Sequence, residues 1–189
     1  MPKDNLHMTA LEITHSLTAA EISTFVDQLA PVARSVIDFP FSHRARLIKP
    51  RLELDAQALA LSFLPASGGE GDEYTYHHLR RDLYSLCTEA GVKVASRYVV
   101  PSAHLTIARF VFDEDFGRGE GFDHGLMQRL VALVEEINGS LEREYWPSLD
   151  GEEVKSGGQW IVGEGKGLDH RRGTLWYGGG ETIVLGKGF

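Results

Sequence analysis

The chain has 189 residues, of which 42% are hydrophobic and 24% charged, enough for one compact domain with a sizeable core or one domain built from two lobes. Its net charge of −8 excludes the basic surface that non-specific binding to long nucleic acid requires, while leaving room for a small phosphorylated ligand in a locally positive pocket. A single cysteine, Cys87, excludes an internal disulfide and points to a reducing cytosolic or nuclear setting.

The N-terminus, MPKDNLHMTA, has no apolar signal-peptide core, so nothing in it directs the chain to secretion. TAAE at 18–21 is a capping box with Thr18 as N-cap and Glu21 at N3, followed by Ile22, Phe25, Val26 and Leu29 at helical spacing. Pro31 kinks that helix or opens another short one. Leu52 and Leu54, then Leu59, Leu61 and Phe63, alternate around a polar turn at Asp55–Gln57 and predict a hairpin. Ser67–Glu73 (SGGEGDE) reads as a flexible loop or lobe boundary.

A second helix carries Tyr76, Leu79, Leu83, Leu86, Cys87 and Ala90 on one face and stops at Gly91, which makes Cys87 an inert core thiol. Residues 97–100 and 103–112 read as two strands around Pro101, and Phe116–Gly121 as a surface loop. A third helix bears Leu126, Leu130, Leu133, Val134 and Ile137 and is closed by Gly139. The C-terminal stretch QWIVGEG…GTLWYGGGETIVLGKGF reads as strands separated by glycine turns. Segments this short cannot carry the crossovers that parallel strands need, so the expected class is α+β, with antiparallel sheets and helices packed on them. No apolar run approaches the roughly 20 residues of a membrane span.

The chemistry is concentrated in a repeat. HMTALEI at 7–13 and HLTIARF at 104–110 match in class at all seven positions, and their histidines lie 97 residues apart. A duplicated strand of this kind suggests two related lobes. Side chains at i and i+2 of a strand share one face, so each copy aims an imidazole and a hydroxyl at the same point. Parity puts Glu12 and Arg109 on the faces opposite the histidines. Two imidazoles with ordinary pKa values of about 6.5 supply both a base and an acid near neutral pH without a metal or other cofactor. Threonine hydroxyls beside them donate to non-bridging phosphate oxygens. Such a strand is half of a phosphate clamp.

Paired His-x-Thr motifs on two strands half a chain apart resemble the 2H phosphoesterase superfamily, which includes 2′,3′-cyclic nucleotide phosphodiesterases and 2′-5′ RNA ligase-like proteins. The flanking PSAHLTIAR is especially similar to the second motif of that group. The resemblance implies a bilobal fold, a pseudo-two-fold pair of antiparallel sheets with outer helices, with His7 and Thr9 facing His104 and Thr106 across a central cleft. It implies hydrolysis of a cyclic or 2′-5′ phosphodiester on a nucleotide or RNA end, with His104 as base, and leaves ligation open. Six residues precede His7, fewer than the family places before its first motif. Either the chain is trimmed or the first lobe is abbreviated, and abbreviation leaves the first strand at a sheet edge. A nucleotide or RNA-end binding module that keeps the clamp without turnover is the alternative.

The glycine-rich run at 163–180 lacks the order of a Walker loop and reads first as turns. Its functional reading is a substrate rim in which Lys166, Arg171 or Arg172 meets ribose or phosphate and Trp176 or Tyr177 stacks on a base. Adjacent His77 and His78 diverge on a helix and have no further ligands at metal spacing. No serine or cysteine stands in a nucleophile elbow.

Overall fold

The computed structural model describes residues 1–96, 102–110, 116–118, 121–147, 155–174 and 179–189. The class is α+β. In chain order its elements are α1 (Ala19–Leu29), α2 (Ala33–Ile37), β1 (Arg46–Leu54), β2 (Ala58–Pro65), α3 (Tyr76–Glu89), β3 (Ala103–Arg109), β4 (Gly117–Arg118), β5 (Gly121–Phe122), α4 (His124–Tyr145), β6 (Gln159–Ile161), β7 (Asp169–Arg172) and β8 (Glu181–Leu185). The strand expected at 97–100, Pro101 and the end of the 103–112 strand lie outside the described residues.

Local signals set most of the helix ends. Thr18 accepts from the Glu21 N–H while Glu21 Oε2 accepts from the Thr18 N–H at 2.8 Å, which is the capping box that opens α1. α1 stops at Leu29, and α2 forms a separate short helix beyond Pro31. Thr75 caps α3, and His78 Nδ1 accepts from the Thr75 N–H at 3.1 Å, so this histidine is a capping group. Gly91, at φ +81°, ends the α3 region in the left-handed conformation that glycine adopts without strain.

Two readings are corrected. α4 runs through Gly139 for 22 residues instead of stopping there. A glycine inside a helix costs about 1 kcal/mol, which contacts made by the C-terminal half of α4 offset. The expected loop at 116–121 contains the paired ends of a small hairpin, with Gly117 opposite Phe122 and Arg118 opposite Gly121. Phe116 packs edge-on against Phe110 with ring centroids 5.3 Å apart.

β1, β2, β3 and β6 form one antiparallel sheet in the order β3-β2-β1-β6, and β7–β8 is a separate hairpin. The β1–β2 turn is tied by Asp55 Oδ1, which accepts from the N–H groups of Gln57 and Ala58 at 2.7 Å each. The chain divides into two compact units. One comprises Met1–Met8, Ile48–Leu64 and His104–Gln159, and the other Thr9–Leu47, Pro65–Ala103 and Trp160–Phe189.

In the first unit Leu52, Phe63, Leu105 and Val134 are buried. In the second, Leu29, Cys87 and Val92 form a cluster against Leu11, Ile13, Phe25, Val32, Val36 and Val94. Burial pushes the Cys87 thiol up to about 11, as an inert core cysteine requires. The acidic loop at 67–73 is anchored by Asp72, whose Oδ1 accepts from Arg46 Nε at 3.0 Å. Among the described residues no helix is long and apolar enough to cross a membrane.

Candidate active site on an exposed sheet face

The two His-x-Thr segments meet through their middle residues. Met8 and Leu105 form an isolated antiparallel bridge, which sets the N-terminal segment along the edge strand β3. The Met1 amino group also donates to the Ile107 carbonyl at 2.6 Å. In an antiparallel pair the residues flanking a bridged position lie opposite one another, so His7 is set beside Thr106. Leu105 is buried, and strand alternation turns His104 and Thr106 to the other face. Met8 shares the face of its partner Leu105, which leaves His7 on the face of His104 and Thr106. Three of the four predicted clamp residues thus gather in the first unit. Thr9 belongs to the second unit, where its carbonyl accepts from the Tyr76 hydroxyl at 3.4 Å.

The two imidazoles stand in different surroundings. His7 is exposed, and its Nδ1 donates to the Asn5 carbonyl at 2.9 Å. A carbonyl only accepts, so that bond puts the proton on Nδ1 and leaves Nε2 as the nitrogen that takes or gives a proton. His104 is half-buried. Burial holds its imidazole below the ordinary value of 6.5, Glu53 raises it, His7 and Arg109 lower it further, and Asp55 raises it. Neutral His104 accepts a proton, and His7 presents its Nε2 on the same face. An acid–base pair on one face is the chemistry this arrangement can perform.

Two further polar residues of this sheet went unnoticed in the sequence. Glu53, exposed on β1, accepts through Oε2 from the Ser62 hydroxyl of β2 at 2.8 Å. Leu52 and Phe63, their neighbours, are buried, so Glu53 and Ser62 point away from the core. The only signal of this was period-two alternation in the predicted hairpin, which put both on the polar side without saying what they approach.

Of the predicted rim residues, Lys166, Arg171 and Arg172 sit in the second unit. Lys166 is exposed in the turn after β6. Arg172 donates through Nε and NH2 to Glu181 Oε2 at 3.0 and 2.9 Å, and Arg171 NH2 donates to the Gly180 carbonyl at 3.2 Å. Both arginines thereby brace the β7–β8 hairpin. Trp176 and Tyr177 lie outside the described residues. Burial lowers the His170 imidazole of β7, with Asp169 opposing. Among the described residues no group of three or more His, Cys, Asp or Glu side chains is arranged to hold a metal ion.

The glycine run owes its composition to close packing. A Cβ on Gly167, at φ +72°, would lie 2.6 Å from the Gly186 carbonyl carbon, and one on Gly186 would lie 2.5 Å from the Ile37 carbonyl oxygen. Glycine is required where backbones approach so closely. No protein-family model, curated protein or solved structure matches the chain, so the reading of the site rests on its own residues.

Proposed function

We propose that the chain is a hydrolytic 2H-type phosphoesterase acting, without a metal or other cofactor, on a 2′,3′-cyclic or 2′-5′ phosphodiester of a nucleotide or RNA end. The observation that carries this reading is the Met8–Leu105 bridge, which supports His7, His104 and Thr106 acting on one phosphate. His104, favoured in the neutral form by burial, takes a proton from water as the water oxygen attacks phosphorus. The bond from phosphorus to a ribose oxygen breaks, and protonated His7 gives its Nε2 proton to that oxygen. A phosphomonoester is left, and the transferred proton rests on His104. Thr106 donates to the non-bridging oxygens as their charge grows.

The reading carries with it two pseudo-two-fold lobes about a central cleft, and a place in the cytoplasm or nucleus consistent with the single buried Cys87. The test is incubation with 2′,3′-cyclic nucleotides in the presence of a chelator, followed by phosphorus NMR. The expected result is replacement of the cyclic phosphate resonance by that of a monoester. A ligand-induced rise in melting temperature with no product would overturn hydrolysis in favour of a nucleotide-binding module.

A further inference from the structure

We propose that His78 is a proton-operated cap on α3, which keeps the first turn of that helix closed only while its imidazole is neutral. A capping box ordinarily has Glu or Gln at N3, whose side chain accepts from the N-cap N–H. In α3 the N-cap is Thr75 and N3 is His78. His78 Nδ1 accepts from the Thr75 N–H at 3.1 Å and lies 3.2 Å from the Thr75 hydroxyl oxygen, to which the His78 N–H donates in return. A ring nitrogen accepts from an N–H only when it carries no proton, so the proton of the neutral ring sits on Nε2. Glu and Gln remain acceptors near neutral pH, whereas histidine changes charge there.

A proton on Nδ1 sets two N–H groups against each other. It also adds positive charge at the helix end where the macrodipole is already positive. The cluster around the ring has its one carboxylate engaged elsewhere: Asp82, one turn on along α3, accepts from the Tyr74 hydroxyl at 2.8 Å and from Arg81 Nε at 2.6 Å. The Tyr74 ring lies 5.6 Å from that of His78 and 5.5 Å from that of His43, and adjacent His77 is exposed.

The capped turn has a task within its own unit. Residues 9–15 belong to no helix or strand, and two α3 side chains hold their start. The hydroxyl of Tyr76, fully buried, donates to the Thr9 carbonyl at 3.4 Å, and Arg80 NH1 donates to the Ala10 carbonyl at 2.6 Å. Tyr76 is the first residue of α3, so uncapping loosens its hold on Thr9 first, while Arg80 lies a turn deeper. Proton uptake at His78 thereby reaches the threonine of the first His-x-Thr motif.

The experiment is an NMR titration of the full chain and of His78→Gln from about pH 8 to pH 5, across the range in which imidazoles change charge. In the parent the neutral His78 ring carries its proton on Nε2, and the Thr75 amide shift moves with the same midpoint as the ring. Hydrogen-exchange protection at Thr75 falls by about three- to thirtyfold on the acid side, the usual worth of a helix cap. His78→Gln, whose amide oxygen accepts throughout, keeps that protection level. His78→Glu does the same and serves should His78→Gln fail to fold. His77→Gln and His43→Gln, which remove the neighbouring imidazoles and leave the cap, behave as the parent. A Thr75 amide indifferent to the His78 midpoint, a neutral ring protonated on Nδ1, or an equal acid-side loss in His78→Gln overturns the proposal.

Discussion

Asn138 of α4 satisfies both backbone groups of Leu52 in β1: its Oδ1 accepts from the Leu52 N–H at 2.7 Å, and its Nδ2 donates to the Leu52 carbonyl at 2.9 Å. One amide side chain takes the place of a neighbouring strand. The need arises because β6 is three residues long and enters opposite the start of β1, where the Val162 N–H donates to the Ala45 carbonyl. Farther along β1, Lys49 adopts φ 56° and the Pro50 carbonyl accepts from Trp146 Nε1 at 2.9 Å. α4 continues past Gly139 and so brings Trp146 to the Pro50 carbonyl. It thereby holds the strand from which Glu53 projects.

Replacing Asn138 by Ala strands a buried N–H and a buried C=O. Each such group costs about 1–3 kcal/mol when left unpaired, so Asn138→Ala lowers unfolding stability by about 2–4 kcal/mol. Urea denaturation followed by circular dichroism measures the loss. A change below about 0.5 kcal/mol would mean that water or another group satisfies Leu52.

His7→Ala and His104→Ala each lower turnover of a 2′,3′-cyclic nucleotide by about 10²–10⁴-fold, the usual worth of a general acid or base. Thr106→Val removes a donor to the phosphate and costs about 10-fold or more. Because these side chains lie on an exposed or half-exposed sheet face, the variants keep the fold, which melting curves check. Turnover near that of the parent in either histidine variant removes that residue from the mechanism.

Burial lowers the His104 and His170 imidazoles below their ordinary 6.5 in the folded chain. Below pH 6.5 the unfolded chain therefore binds more protons at these positions than the folded one. Stability rises with pH through the window between the folded midpoints and 6.5, and their contribution is level above it. Unfolding free energies between pH 5 and 7.5 should fall on the acid side, and His104→Gln should flatten part of the slope. A parent and variant with identical slopes would show that His104 titrates alike in both states.

Gly186→Ala places a methyl group 2.5 Å from the Ile37 carbonyl oxygen and 3.0 Å from the Leu168 nitrogen. Backbone must move to admit it, at a cost of about 1–3 kcal/mol, read as a lower denaturation midpoint. Gly165→Ala meets nothing within 4 Å and is the matched control. Equal midpoints for the two variants would contradict the close packing of the C-terminal segment.

The elements with strong local signatures are legible in the amino-acid sequence alone. The capping box at Thr18–Glu21, the hairpin around Asp55–Gln57, the α3 face with Cys87 and the stop at Gly91 all follow from chemistry within a few residues of each site. The two His-x-Thr segments are legible as a pair because alternation alone assigns histidine and threonine to one face. Tertiary structure decided what lies across a strand or beyond a helix stop. Gly139 reads locally as an end, yet the hydrogen bond from Trp146 to Pro50, made beyond it, helps to outweigh the propensity of one glycine. Likewise, no sequence spacing brings Met8 to Leu105, because the register between them is set by the pairing of distant segments rather than by either segment alone.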